Sequence, residues 1–141
     1  MIRQLKLDPA RLDDIDRVHQ FVDALCDTAR VDDDIRFALK LSVEEAYSNI
    51  VMHGYRRNPG PVMLVCQWCN GEISVSLRDR APRFSPDQAP APDLEAGLHE
   101  RKIGGLGWYL IQHMMDQVRH EFVDGGNVYT LIKRLPSQPA S

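Results

Sequence analysis

One stretch, Leu41-Ser-Val-Glu-Glu-Ala-Tyr-Ser-Asn-Ile-Val-Met-His-Gly-Tyr55, constrains this chain more than any other. Ile35, Leu39, Val43, Ala46 and Ile50 recur at three- and four-residue steps, which predicts a helix with an apolar stripe against a core. Glu45, Asn49 and His53 follow at four-residue spacing about a quarter-turn away, so a carboxylate, an amide and an imidazole line up beside that stripe. A Glu four residues ahead of an Asn suits phosphoryl transfer or hydrolysis. The amide oxygen can complete an octahedral Mg²⁺ shell while the carboxylate activates an attacking hydroxyl or water. The same three residues also read as a solvated polar flank of a helix that stops at Gly54. The stretch alone leaves both readings open.

The remaining elements follow from local pattern. Alternating apolar residues predict a short strand over Ile2–Leu7, and Asp8-Pro9 reads as an N-cap followed by proline at the first helical position. Ile15, Val18, Val22 and Leu25 give the next helix a buried face up to about Ala29. Asp32, Asp33 and Asp34 put negative charge where the dipole of the second helix favours it; the other reading of the three is a cation site. Residues 62–69 and 72–79 alternate as strands around Asn70-Gly71, a strong hairpin signal. Ile73, Val75, Leu77 and Asp79 share parity, so Asp79 points where the core residues point. An inward carboxylate at a strand end needs a partner, which a bound ligand can supply; the alternative is a cap for the turn at Arg80-Ala-Pro82. Residues 85–100, with Pro86, Pro90 and Pro92, show no period and read as a lid. Gly104-Gly-Leu-Gly107 then opens an apolar helix, where bare amides can approach a phosphate. A second hairpin, residues 119–123 and 127–134, turns at Asp124-Gly-Gly126, and residues 136–141 read as a frayed tail.

Composition narrows the class. A chain of 141 residues is expected to form one domain and to bury about two-thirds of its unfolded surface without disulfides or a structural metal. The net charge of −3 and pI near 5.9 come without a basic patch, which argues against nucleic-acid binding. No apolar run reaches membrane-spanning length, and Met1-Ile-Arg-Gln-Leu-Lys-Leu7 lacks the core of a signal peptide, so a cytoplasmic protein is expected. Three cysteines, an odd number, suit a reducing compartment. Cys66 and Cys69 are spaced like a metal or redox pair, but in a strand an offset of three sends the thiols to opposite faces.

Placed in order, Glu45-Ala-Tyr-Ser-Asn49 with His53-Gly-Tyr55, Asp79-Arg-Ala-Pro-Arg-Phe84, and Gly104-Gly-Leu-Gly107 with Met115-Asp-Gln-Val118 resemble the N, G1 and G2 boxes of the bacterial anti-sigma factor serine kinases. These belong to the Bergerat-type ATPase superfamily shared with gyrase and histidine kinases. The resemblance runs from about residue 8 to 134. It implies an α+β fold, a two-layer α/β sandwich whose mostly antiparallel mixed sheet carries helices on one face. It implies ATP and Mg²⁺ as ligands, with Asn49 on the metal and Glu45 as general base. Asp79 becomes the acceptor for the adenine amine, with Ala81, Phe84 and a Thr130 hydroxyl beside it. Gly104, Gly105, Leu106 and Gly107 become the phosphate loop, and residues 85–103 the ATP lid. One departure stands out: Ala81 replaces the usual glycine, and its methyl is expected to crowd the adenine face and weaken binding by about 1 kcal/mol.

The implied function is partner switching. Such a protein holds a sigma factor inactive and phosphorylates a serine on a STAS-type antagonist, usually as a homodimer paired through its first strand and first helix. The alternative is a binding module that uses nucleotide only as a conformational ligand. The ATP-binding half of a histidine kinase fits less well, because His19 lies in a helix too short for a dimerisation hairpin.

Overall fold

The computed structural model describes residues 1–84 and 105–136. Strands β1 (Ile2–Leu7), β2 (Val62–Cys69), β3 (Glu72–Arg78), β4 (Gln117–Val123) and β5 (Gly126–Arg134) form one sheet. Their order is β1-β2-β3-β5-β4, and every neighbouring pair is antiparallel, so the sheet contains no parallel pair among the described strands. Helices α1 (Ile15–Ala29), α2 (Asp33–Asn49) and α3 (Gly105–Met114) complete the fold, with α2 packed against both other helices and against β3 and β5.

Strand parity decides which face meets the helices. Leu64, Leu77 and Tyr129 stand in register across β2, β3 and β5, as do Cys66, Val75 and Leu131, and all six are buried. Ser76 and Thr130 pair on the opposite face, where their hydroxyls meet at 3.3 Å. Cys66 is buried and Cys69 exposed, as the parity of β2 requires. Both hairpins turn on two consecutive left-handed residues, Asn70 and Gly71 (φ 53° and 76°) and Asp124 and Gly125 (φ 51° and 79°). That geometry matches the twist of the flanking strands and sets their register.

The helices dock through the expected stripe. Ile35, Leu39, Val43, Ala46 and Ile50 are all buried, and a fully buried Leu39 or Val43 contributes about 1.5–3 kcal/mol. Asp32 caps α2, its carboxylate accepting from Ile35 N at 2.9 Å. Across the α1–α2 seam, Arg36 and Lys40 both reach Asp23, at 2.8 and 3.0 Å. Burial alone would raise the Asp23 pKa, but hydrogen bonds from these two cations hold it below the ordinary carboxylate range. No helix among the described residues is long and apolar enough to cross a membrane.

One local expectation fails. Asp8-Pro9 does not open a helix: Ala10 N donates to Gly60 O at 2.9 Å, which ties this turn to a distant loop, and α1 begins only after a 3-10 turn at Leu12–Asp14. The helical run that begins as α2 stops at Gly54 as expected, but its last turn is not α. It loosens into a π-helical turn over Ile50–Gly54, closed by Tyr55 N donating to Ile50 O at 2.9 Å. The change of pitch falls between Asn49 and His53, so the α-helical spacing that aligns Glu45 with Asn49 does not extend to His53. Because Asp32 is the one side-chain cap on α2, Asp32→Ala is expected to cost about 1 kcal/mol. Urea unfolding should show a lower midpoint with an unchanged slope.

Candidate functional site

The buried end of the site is built where β3 leaves the sheet. Asp79 is 5% exposed and continues the inward parity of β3. Its Oδ1 accepts three hydrogen bonds, from Ala81 N (3.0 Å), Asn127 N (3.1 Å) and Asn127 Nδ2 (2.9 Å). Its Oδ2 is buried and has no hydrogen-bond partner among the described residues. A lone acceptor in a buried place is costly unless a ligand donor meets it. Gly126 makes the contact possible, since a Cβ there would lie 2.0 Å from the carbonyl oxygen of Asp79.

The opposite end is built by α2 and α3. Glu45 and Asn49, one turn apart on α2, are half-buried and form no hydrogen bond among the described residues. A Cβ at Gly107 would stand 2.6 Å from Glu45 Oε2 and 3.3 Å from Asn49 Nδ2, so the glycine-rich start of α3 lies directly against this pair. Burial, with a smaller contribution from Glu44, raises the pKa of Glu45, which makes it a stronger proton acceptor than a surface glutamate. His53 is shifted the other way, by burial and then by Arg56, both of which favour its neutral form.

Between these ends, Tyr55 ties the π-turn to the segment after Asp79. Its hydroxyl accepts from Arg80 N at 2.7 Å and donates to Pro61 O. Gly60 leaves room for the ring: a Cβ there would meet Tyr55 at 2.4 Å. The Ala81 methyl, expected to crowd the adenine face, lies against Gly54. A Cβ built at Gly54 would be 3.3 Å from it, and Ala81 is 2% exposed. The extra carbon therefore sits against a residue that has no side chain. Phe84 joins a cluster with His120 and Tyr129, ring centroids 6.5 and 6.2 Å away, and Trp108 packs on Tyr129 at 6.0 Å.

Thr130 does not join the site. β5 alternates, so Thr130 faces away from Asp79 on the outer sheet surface with Ser76. The β5 residue that reaches Asp79 is Asn127, which the sequence reading missed. Its inward parity with Tyr129 and Leu131, directly after the turn glycines, was the signal available for it. Gly104, the side chain of Leu106, the proposed lid at residues 85–103 and the tail beyond residue 136 lie outside the described residues.

Helices over one face of an antiparallel sheet, an orphan acceptor at one end and a glycine helix start at the other define an ATP-binding α+β domain. A family profile described as the histidine kinase-like ATPase domain matches residues 9–133, and the chain belongs to that family, to its serine-kinase and anti-sigma factor branch. The serine/threonine-protein kinase BtrW of Bordetella bronchiseptica is 33% identical over 98 residues, 69% of each chain. An anti-sigma F factor of Anoxybacillus flavithermus is 26% identical over 104 residues, 72% of this chain and 71% of that one. Among solved structures, the RsbU and RsbW domains of a Mycobacterium tuberculosis protein match the fold with TM-score 0.69 at 17% identity. The match covers 96% of this chain but only 32% of that one.

The raised pKa of Glu45 has a measurable consequence for stability. The folded state holds the Glu45 proton more tightly than the unfolded chain, so this residue favours folding least where it is ionised, above its folded pKa. Glu45→Gln should therefore raise the melting temperature at pH 8 and change it little at pH 4. Thermal unfolding at the two pH values checks this.

Proposed function

We propose that this protein is an ATP-dependent anti-sigma factor and serine kinase. It would hold a sigma factor and phosphorylate a serine on a STAS-type antagonist, releasing that antagonist. The observation that carries the reading is the packing of Gly107 against Glu45 and Asn49. It puts a proton acceptor, a neutral oxygen ligand and backbone amides of a helix start at one place. The unpartnered Asp79 Oδ2 supports the other end of the same nucleotide, since the adenine 6-amino group is a donor.

In the proposed reaction the serine oxygen attacks the γ-phosphorus as its proton passes to the Glu45 carboxylate, and the bond to the β,γ-bridging oxygen breaks to release ADP. Glu45 is half-buried and has no hydrogen-bond partner among the described residues, so no group among them competes for that proton. Amides at the start of α3 hold the phosphates, and Asp79 fixes the base far from the transferred group. Asn49 fits a Mg²⁺ ligand: its amide is unpaired among the described residues and borders the space left open by Gly107. Mg²⁺ held there by Asn49 would supply charge neutralisation at the phosphates.

The kinase reading makes separable demands on three residues. Asp79→Asn should weaken ATP binding much more than it destabilises the fold. Asn49→Ala should lose Mg²⁺-dependent binding and catalysis together. Glu45→Gln should keep ATP affinity within a few-fold while phosphate transfer to a cognate STAS protein falls by about 10²–10⁴. Calorimetric ATP titrations beside labelled phosphate transfer separate these effects. Wild-type transfer in Glu45→Gln would remove the general base, and no transfer by the unaltered protein would favour the nucleotide-responsive binding module.

The proposed assembly is a homodimer. β1 is an edge strand, and Ile2 on it is 61% exposed, so its outer backbone groups offer a pairing surface. Light scattering at micromolar concentration is expected to give twice the chain mass; a monomer mass throughout would exclude the dimer.

A further inference from the structure

Asn127 does more at this site than hold a turn. Its side chain is 1% exposed, and its amide nitrogen donates to Asp79 Oδ1 (2.9 Å), Ala81 O (3.3 Å) and Pro82 O (3.0 Å). Its amide oxygen accepts from Phe84 N at 3.0 Å and lies 2.8 Å from His120 Nε2. Three acceptors around the nitrogen and a backbone donor at the oxygen permit only one orientation of the amide. The oxygen is already an acceptor, so His120 must carry a proton on Nε2 to complete the set. His120 is itself seated on Tyr129, with ring centroids 5.1 Å apart.

The consequence falls on Asp79. Of the three hydrogen bonds that reach Oδ1, two come from Asn127, one from its backbone and one from its side chain. With Oδ1 occupied by donors, Oδ2 is the one carboxylate atom left for a ligand. We propose that Asn127 is a positioning residue that sets purine selectivity: by filling Asp79 Oδ1 it presents Oδ2 alone, as an acceptor, and so selects a 6-amino purine over a 6-oxo purine. This rests on the reading of Asp79 as the group that meets adenine. A 6-oxo group would place one acceptor against another, a mismatch that buried polar sites reject strongly.

Exchange of the amide for a carboxyl tests the idea. In Asn127→Asp an oxygen replaces the nitrogen that faces three acceptors, and the contact closes only if Asp79 and the new carboxyl share a proton. Such a pair has a donor state as well as an acceptor state, so it accommodates a 6-oxo purine.

ATP and ITP, which differ at the purine 6-position, are titrated calorimetrically in Mg²⁺ buffer against the wild type and Asn127→Asp. The wild type should prefer ATP, and in the variant the ratio of affinities should shrink about tenfold or more. A residue that served stability alone would weaken both nucleotides alike and leave the ratio unchanged. His120→Phe keeps a ring on Tyr129 but removes a donor to the Asn127 oxygen, so it should lower the ratio a few-fold, and His120→Gln, which restores an N–H, should recover it. These two variants decide the matter if Asn127→Asp does not fold. An unchanged ATP to ITP ratio in folded Asn127→Asp, or in His120→Phe where that variant does not fold, overturns the proposal. A wild type without preference for ATP overturns instead the reading of Asp79 on which it rests.

Discussion

The packing of α2 into the angle between the sheet and α3 is the constraint on which the rest of the site depends. The stripe from Ile35 to Ile50 is buried along its whole length, which leaves α2 neither rotation nor slide. Glu45 and Asn49 stand beside that stripe, so the same contacts that stabilise the core also hold the two polar groups against Gly107. A helix secured by its apolar face is a rigid platform for chemistry on the adjacent one. The half-burial this imposes on Glu45 is also what raises its pKa, so packing and proton affinity have one origin.

A second buried arrangement secures the other end of the site, and it is polar. Asp79 and Asn127 sit at 5% and 1% exposure and would be a large burden if unpaired. Asn127 meets five partners with its amide, which is full satisfaction for that group. The main chains join too, Asp79 N donating to Asn127 O at 3.0 Å, so the residue just after β3 is stitched to the start of β5. The close approach works because residue 126 is glycine. One carboxylate oxygen is left over, and it lies where a nucleotide base is expected.

The π-turn and the loop after it connect these two ends. By widening the helix at Ile50–Gly54, the chain brings Gly54 against Ala81 and swings Tyr55 beneath Arg80. Departures from α geometry of this kind often occur at functional positions, because they re-aim a backbone without breaking it. Tyr55 then bridges Arg80 and Pro61, and the absence of a side chain at Gly60 leaves room for its ring.

Local pattern in the amino-acid sequence was sufficient for most of the scaffold. The stripe of α2, the cap at Asp32, both hairpin turns and the inward parity of Asp79 depend on residues within one or two turns or pairs of each other. Periodicity reports such short-range geometry directly. The motif order carried the family, and with it the roles expected of Glu45, Asn49 and Asp79. The remaining features depend on contacts between distant segments. Asp8-Pro9 carries a helix-start signal, yet Ala10 bonds to Gly60, fifty residues on. His53 follows a regular four-residue spacing, yet the helix beneath it changes pitch. Thr130 is a reasonable hydroxyl on the correct strand, yet the register of β5 against β3 turns it outward and turns Asn127 toward Asp79, across 48 residues of chain. Register is a property of two strands together, and no window on one of them contains it.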